Sequence, residues 1–184
     1  MSSLLRSPAV YLSAACLLLL LVATGCTQES AALRTYAMGE RAEAGPLVYN
    51  VLESSWRTQL GDGAHLRVPQ YRFLLLRLSI TNGSPDLVSV PPTVLVSPSG
   101  TEYSELTDAE GVDDWLGLLR RLKSTETALG WVLFDAPRGD YQLRVSDDAF
   151  DPAEARLAMI QIPLRLEGKS DLLPEPKSQH GAAR

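Results

Sequence analysis

Cysteine and histidine are the scarcest chemically reactive residues in this chain of 184 residues, which contains two of each. Cys16 lies inside an apolar N-terminal stretch and Cys26 closes that stretch, so the sequence beyond them has no cysteine. A disulfide and a thiolate metal site are therefore excluded from the rest of the chain. His65 and His180 have no evident partner, and we expect both to be solvated, which argues against a histidine-based triad or zinc site.

Excess positive charge is also missing. The chain has 17 lysines and arginines against 22 acidic residues, a net charge of −5, and no run of basic residues. Such a chain repels nucleic acids and anionic lipid headgroups at a distance. We therefore predict no nucleic-acid partner.

An apolar leader occupies the first 25 residues. Arg6 precedes an apolar stretch over residues 9–23, and small residues follow, which is typical of a secretory signal peptide. The stretch is also close to the roughly 20 residues that span a bilayer, so an uncleaved membrane helix is one alternative. Cleavage without lipidation, which would leave Cys26 as a free thiol, is another.

The run Leu21-Val22-Ala23-Thr24-Gly25-Cys26 resembles the lipobox of bacterial lipoproteins, although such proteins more often have leucine at the position of Ala23. The resemblance implies that Cys26 is the lipidation site and the mature N-terminus. Each buried methylene contributes about 0.8 kcal/mol, so two or more acyl chains would hold the protein on a membrane. Thr27 stands where aspartate favours inner-membrane retention in Gram-negative lipoproteins, and therefore favours the outer membrane.

The remaining sequence divides into three parts. Residues 26–34 are short and polar and are predicted to be a lipid-anchored tether. Residues 35–167 are predicted to form one domain, which is long enough for a core of its own. Residues 168–184 carry two prolines and little that could pack, which predicts a disordered C-terminal tail.

The dominant hydrophobic period of the domain is two, which indicates β-strands. One face of residues 71–81 is mostly apolar, whereas the other passes from apolar to polar along the strand. Residues 141–146 alternate cleanly. Further strands are predicted at 47–56, 87–90, 93–97, 127–135 and 156–166, where Pro163 should lie at a sheet edge or end the pairing. Short strands separated by turns predict an all-β fold, an antiparallel β-sandwich.

Residues 108–123 break this pattern and predict one short inserted amphipathic helix. Acidic residues gather at its start and basic residues at its end, as the helix dipole favours. One helical face would contain Trp115, Leu118, Leu119 and Leu122. Because residues 127–135 are apolar on both faces, we expect this helix to cover the second face through Trp115.

Four segments occur in an order that resembles a known family. They are Ile80-Thr81-Asn82-Gly83, Val88-Ser89-Val90, Ser99-Gly100-Thr101-Glu102-Tyr103 and Gly130-Trp131-Val132-Leu133-Phe134-Asp135-Ala136-Pro137. Over residues 35–166 the chain resembles the immunoglobulin-like, telokin-like domain of unknown function found in many bacterial lipoproteins and secreted proteins. The resemblance implies an immunoglobulin-like sandwich at the cell surface or in the periplasm, without an established catalytic residue. The inserted segment departs from the family, which usually has a Pro-Gly turn there.

Carboxylates are the one plausible set of metal ligands. Asp147, Asp148 and Asp151 cluster after a strand, and four acids (Asp108, Glu110, Asp113 and Asp114) cluster near the predicted helix. Calcium takes six to eight oxygen ligands, but neither cluster has EF-hand spacing. The first cluster is therefore kept as a weak metal candidate, and neither a cofactor nor a catalytic residue is predicted.

These observations favour a non-catalytic, lipid-anchored protein of the bacterial envelope, facing the periplasm or the exterior. It would be a protein-interaction or ligand-binding module with an envelope protein as partner, contacted through sheet edges or acidic loops. The alternative is a carrier for calcium or a small hydrophobic ligand in the periplasm or on the cell surface. A hydrolase is a third, weaker possibility.

Overall fold

The structure, a computed structural model, describes residues 33–147, residue 149 and residues 154–164. The predicted signal peptide and tail, together with Cys26, Asp148, Asp151 and His180, lie outside the described residues. Within them the strands are β1 (Arg34–Tyr36), β2 (Ala42–Ala44), β3 (Leu47–Arg57), β4 (Phe73–Asn82), β5 (Val88–Val90), β6 (Val94–Val96), β7 (Glu102–Ser104), β8 (Arg120–Leu122), β9 (Thr127–Asp135), β10 (Tyr141–Ser146) and β11 (Leu157–Ile162). A 3₁₀ turn at Gly63–His65 lies between β3 and β4.

Two sheets build the sandwich. One has five strands in the order β1-β11-β10-β6-β7, and the other has four in the order β2-β3-β4-β9. Neighbouring strands are antiparallel except β1, which pairs in parallel with β11. A separate antiparallel ribbon joins β5 to β8. The all-β sandwich predicted from the period-two pattern is therefore confirmed.

The longer predicted strands are present, with small differences at their ends. β9 has the predicted bounds, and β11 ends at Ile162, immediately before Pro163. A proline has no N–H to donate to a ladder, which explains that end. The strands that the sequence did not predict are β1, β2, β7 and β8, each of three residues. Three residues show little alternation, although the equally short β5 and β6 fall within predicted strands.

The main core lies between the two sheets. Alternate residues of β4 and β9, among them Leu76, Val132 and Phe134, are fully buried there. The five-stranded sheet contributes Leu143 and Ile160 from its two central antiparallel strands. These are the inward positions that strict alternation assigns to a half-buried strand.

A second, smaller core lies on the outer face of the four-stranded sheet. Phe73, Leu75 and Leu133 are buried on that face, whereas Arg77 and Ser79 farther along β4 are only partly buried. The predicted passage of this face from apolar to polar is therefore confirmed. The cover comes from residues of the loops before β4 and β8: Leu60, Leu106, Ala109, Val112 and Trp115.

The predicted helix over residues 108–123 is wrong. The segment is an irregular loop that runs along the outer edge of β9 and ends in β8. Leu106 N–H donates to Leu133 O (2.8 Å), Leu116 N–H donates to Trp131 O (3.0 Å), and Trp131 N–H donates to Asp114 O (2.9 Å). We call residues 106–116 the cover loop. These three backbone bonds go to β9, and within the loop Val112 N–H donates to Ala109 O (2.9 Å), which closes a single turn and not a helix.

Local conformations in the cover loop explain why a helix does not form. Gly111 and Gly117 have φ of +84° and +69°, and Asp114 has φ of +55°. Such left-handed residues interrupt a right-handed helix, and glycine adopts them without steric cost. Leu119, assigned to the buried helical face, is fully exposed, and Arg120, assigned to the polar end, is buried.

Trp115 supplies the expected cover without a helix. Its backbone forms a parallel β-bridge with Trp131 of β9, and its side chain packs on the second core. Changing Trp115 to Ala should therefore destabilise the domain by about 2 kcal/mol, because a partly buried ring is removed. That loss corresponds to a fall of several degrees in Tm.

The matched control for this measurement is Leu119→Ala. Leu119 lies in the same loop region but is fully exposed, so its truncation should leave the melting curve unchanged. Equal melting temperatures for Trp115→Ala and Leu119→Ala would contradict the covering role of Trp115.

Candidate functional site

Strand β3 has an edge that is paired over only part of its length. β2 pairs with Leu47–Tyr49, and Gly39 N–H then donates to Val51 O at 3.1 Å. A β-bulge follows at Leu52, whose side chain is 48% exposed. From residue 52 to residue 57, β4 lies on one side and no strand of the described residues lies on the other. We call residues 52–57 the free edge.

The other long edge of the same sheet, β9, is covered over residues 131–133. The cover loop donates to and accepts from the backbone of β9, as described above. The edges of the five-stranded sheet are β1 and β7, of three residues each. Short or covered edges are the usual protection against unwanted strand pairing. In the part of the chain that the structure describes, the free edge is the longest stretch without that protection.

The direction of the backbone groups on the free edge follows from β4. Asn82 N–H donates to Glu126 O, and Asn82 O accepts from Thr125 N–H, both at 3.0 Å, so the backbone of Asn82 faces the β9 side. Backbone groups alternate along an antiparallel strand, so Arg77 and Leu75 face β3. Their partners, Glu53 and Ser55, exchange those bonds. The N–H and C=O groups of Ser54 and Trp56 therefore point away from the sheet.

A groove of about 500 Å³ lies beside the free edge, on the outer face of the sheet. Its floor contains Leu75 and Trp131, and the Arg77 guanidinium lies 6.0 Å from the centre of the Trp131 ring. Glu53 and Arg57 line it from β3, and Asp113 lines it from the cover loop. The groove thus combines an apolar floor with charges of both signs.

A buried ion pair joins the two residues, Glu105 and Arg120, that flank the cover loop and the residues after it. One Glu105 carboxylate oxygen, Oε2, accepts from the N–H and the hydroxyl of Thr93, each at 3.0 Å. The other, Oε1, accepts from Arg120, whose Nε also donates to Gly117 O. Both side chains are almost entirely buried. The pair therefore ties β8 to the start of β6 and fixes the chain between Glu105 and Arg120 at both ends.

Sequence reasoning missed this pair. Arg120 was assigned to the exposed basic end of the predicted helix, and Glu105 falls beyond a three-residue strand with no pattern around it. A second pair, Glu102 with Arg144, is exposed on the five-stranded sheet. There the hydrogen bond from Arg144 lowers the pKa of Glu102, and the same bond raises the pKa of Arg144.

Asp147 is the one predicted metal candidate among the described residues. Its Oδ1 accepts from Arg156 N–H at 3.0 Å, and its own N–H donates to Arg156 O at 3.2 Å. The carboxylate therefore closes the connection from β10 to β11. Across the residues that the structure describes, no group of three acidic, histidine or cysteine side chains could hold a metal ion.

The acidic cluster near the cover loop contacts the loop before β4. Glu110 lies 2.9 Å from His65 Nδ1, and Asp108 lies 3.7 Å from Arg67 Nη1. Asp108 Oδ1 also accepts from Glu110 N–H. The His65 side chain is 73% exposed, as expected, but it has a carboxylate partner that the sequence did not reveal. These acids connect two loops, which accounts for them without a ligand.

An open cleft of about 620 Å³ lies at one end of the five-stranded sheet. Tyr141, Ile162 and Pro163 contribute to its wall, next to the turn that follows β6. The cleft lies between strand ends and not between the two sheets. In the part of the chain that the structure describes, no helix is long and apolar enough to span a bilayer.

The described residues thus define a β-sandwich protein whose longest unprotected strand edge is residues 52–57. The chain belongs to the family DUF4352, a domain of unknown function, whose family model matches residues 36–155. None of the curated protein sequences matches the chain.

Three solved structures share the fold. The ycdA protein of Bacillus subtilis, a candidate lipoprotein, aligns with a TM-score of 0.54 and 11% identity over 70% of this chain and 40% of its own length. The yjhA protein of B. subtilis aligns with a TM-score of 0.51 and 16% identity over 68% of this chain and 98% of its own. A functionally unknown protein of Listeria monocytogenes aligns with a TM-score of 0.52 and 12% identity over 70% and 84%.

Removing one partner of the buried pair should be costly. Glu105→Ala leaves the Arg120 guanidinium buried without a counter-charge, so we expect a loss of about 3 kcal/mol or more in the free energy of unfolding. Urea denaturation at neutral pH measures this loss. In Glu102→Ala, the matched control, an exposed pair is broken and the curve should barely move. Similar losses in the two variants would contradict the role assigned to Glu105.

Proposed function

We propose that this chain is a non-catalytic, lipid-anchored protein of a bacterial envelope that binds an extended segment of another envelope protein along the free edge. The observation that carries the proposal is the outward, unpaired backbone of Ser54 and Trp56 in the free edge, beside a groove, in a sheet whose other long edge is covered at residues 131–133. In strand addition, main-chain hydrogen bonds supply affinity and pockets for alternate side chains supply specificity. The free edge and the groove correspond to these two parts.

The chemistry of such binding follows from the outward groups of β3. Ser54 and Trp56 each offer one N–H donor and one C=O acceptor to an added strand. Every second side chain of that strand would lie on the outer face, near the groove, where Glu53 and Asp113 favour a basic side chain and Trp131 an apolar one. An extended partner segment that carries basic and apolar side chains at every second position fits this surface best.

The envelope location rests on the N-terminal sequence. The lipobox-like run ending at Cys26 implies acylation, and ycdA, one of the proteins that shares the fold, is a candidate lipoprotein. We place the domain on the periplasmic or exterior side of the membrane, because a cleaved lipoprotein leader delivers its chain there.

We also propose that the sandwich is of the immunoglobulin-like type. In that fold the penultimate strand lies at the centre of one sheet, between the last strand and an earlier one. β10 lies between β11 and β6 in the same way. Tyr141, at the start of β10, donates its hydroxyl hydrogen to Pro137 O at 2.6 Å, like the tyrosine corner of immunoglobulin domains. Burial and the neighbouring Tyr103 raise the pKa of Tyr141 to about 12.

Strand addition should be sensitive to a proline at residue 54. Ser54→Pro removes an outward N–H but leaves the ladder with β4 intact, so it should abolish partner capture without unfolding the domain. The measurement is crosslinking in intact cells from a photoreactive residue at Leu52, with Ser54→Ala as the matched control. Unchanged crosslinks in Ser54→Pro, with an unchanged melting temperature, would refute binding along the free edge.

Lipid anchoring depends on one side chain. Cys26→Ser should abolish incorporation of a labelled fatty acid into the protein, because the thiol that would carry an acyl chain is missing. Cys16→Ser, inside the leader, is the matched control and should retain the label. A fatty-acid-free wild-type protein would overturn the anchor, and this result is independent of the Ser54→Pro result.

A further inference from the structure

Three arginines meet at one end of the four-stranded sheet. Arg57 ends β3, and Arg72 lies immediately before β4. Arg138 follows β9, and the intervening Ala136 N–H donates to Arg72 O at 3.0 Å, which brings the two segments together. The three arginines line a cleft of about 440 Å³, which we call the arginine cleft. The other lining residues are Trp56, Thr58 and Gln59.

The positive charge in this cleft is not neutralised by the described residues. None of the three arginines forms an ion pair there, whereas Arg67, Arg120 and Arg144 each pair with a carboxylate. In a chain of net charge −5, three arginines that line one cleft and form no ion pair with the described residues are unexpected.

The two carboxylates nearest in sequence are engaged elsewhere. Asp135 accepts from Gln70 N–H at 2.6 Å and from Tyr71 N–H at 2.8 Å. Asp140 accepts from Leu164 N–H at 2.7 Å. Both carboxylates therefore hold backbone segments in place around the cleft, and neither forms an ion pair with one of the three arginines.

We infer that the arginine cleft binds a phosphate group. Guanidinium groups present planar forks of N–H donors that match phosphate oxygens, and charge-assisted bonds of this kind are the strong ones. The Thr58 hydroxyl and the Gln59 amide add neutral donors, and the Trp56 ring forms an apolar wall suited to the organic part of a phosphate ester. The inference holds whether or not the free edge binds a strand.

The overall acidity of the chain limits the size of this ligand. Charges farther away than about 8–10 Å are largely screened at physiological salt, so a local cluster can attract an anion that the whole molecule repels. A long polyanion or a charged membrane surface would meet the acidic remainder of the domain. The cleft therefore suits a single phosphate ester, either a soluble monoester or the diester of one lipid headgroup.

Titration of the purified full-length protein with inorganic phosphate, followed by isothermal calorimetry and by shifts of backbone amide resonances, tests the inference. We expect saturable binding with shifts centred on residues 57, 72 and 138. Arg72→Gln and Arg138→Gln should each weaken binding by about tenfold, because each removes a forked donor pair. Arg72→Lys keeps the positive charge but not the forked pair of donors, so its phosphate affinity should lie between those of the wild type and Arg72→Gln.

Arg121→Gln is the matched control, because it removes the same charge from exposed β8, near the opposite end of β4. Its phosphate affinity should stay within about twofold of the wild type at physiological salt. Glycerol 3-phosphate and the diester glycerophosphoglycerol then distinguish the source: preference for the monoester indicates a soluble metabolite, and preference for the diester indicates a headgroup. Absence of saturable phosphate binding, or an equal loss in Arg121→Gln and Arg72→Gln, would overturn the inference.

Discussion

The structure depends on two adjacent strands, β4 and β9, that are apolar on both faces. One face of each is covered by the five-stranded sheet, but the other would expose Phe73, Leu75 and Leu133 without a second cover. Burying an apolar side chain of this size contributes about 1.5–3 kcal/mol. The cover loop is thus a structural necessity of these strands. The flanking ion pair between Glu105 and Arg120 costs free energy of desolvation. It fixes the position of the chain before the cover loop and again at β8.

The same loop decides which edge of the sheet remains available. Because it bonds to the backbone of Trp131 and Leu133, it covers the middle of the β9 edge. β2 and Gly39 protect β3 only as far as Val51, and the bulge at Leu52 begins the unprotected part. The longer uncovered stretch of the sheet therefore lies on β3. This asymmetry is the reason to assign binding to β3.

Much of the fold was accessible from the sequence, because a half-buried strand imposes a period of two on its side chains. β3, β4, β9 and β10 were predicted on that basis, as was the cover by Trp115. The conformation of residues 108–123 was not, since a loop that follows a strand edge and an amphipathic helix can bury the same tryptophan. Gly111 and Gly117 were the available warning, because each adopts a positive φ that a helix does not allow.

Long-range pairing explains the remaining gaps in the prediction. Glu105 and Arg120 are 15 positions apart, and Arg57 at the end of β3, Arg72 before β4 and Arg138 after β9 are brought together only by the folded sheet. No local pattern marks such groups, and the negative net charge argued against a basic site of any kind. Net charge governs attraction at long range, whereas a ligand in a cleft experiences the few groups within a Debye length. The free edge and the arginine cleft share Arg57 at the end of β3, so a strand added along the edge would run toward a site for an anion.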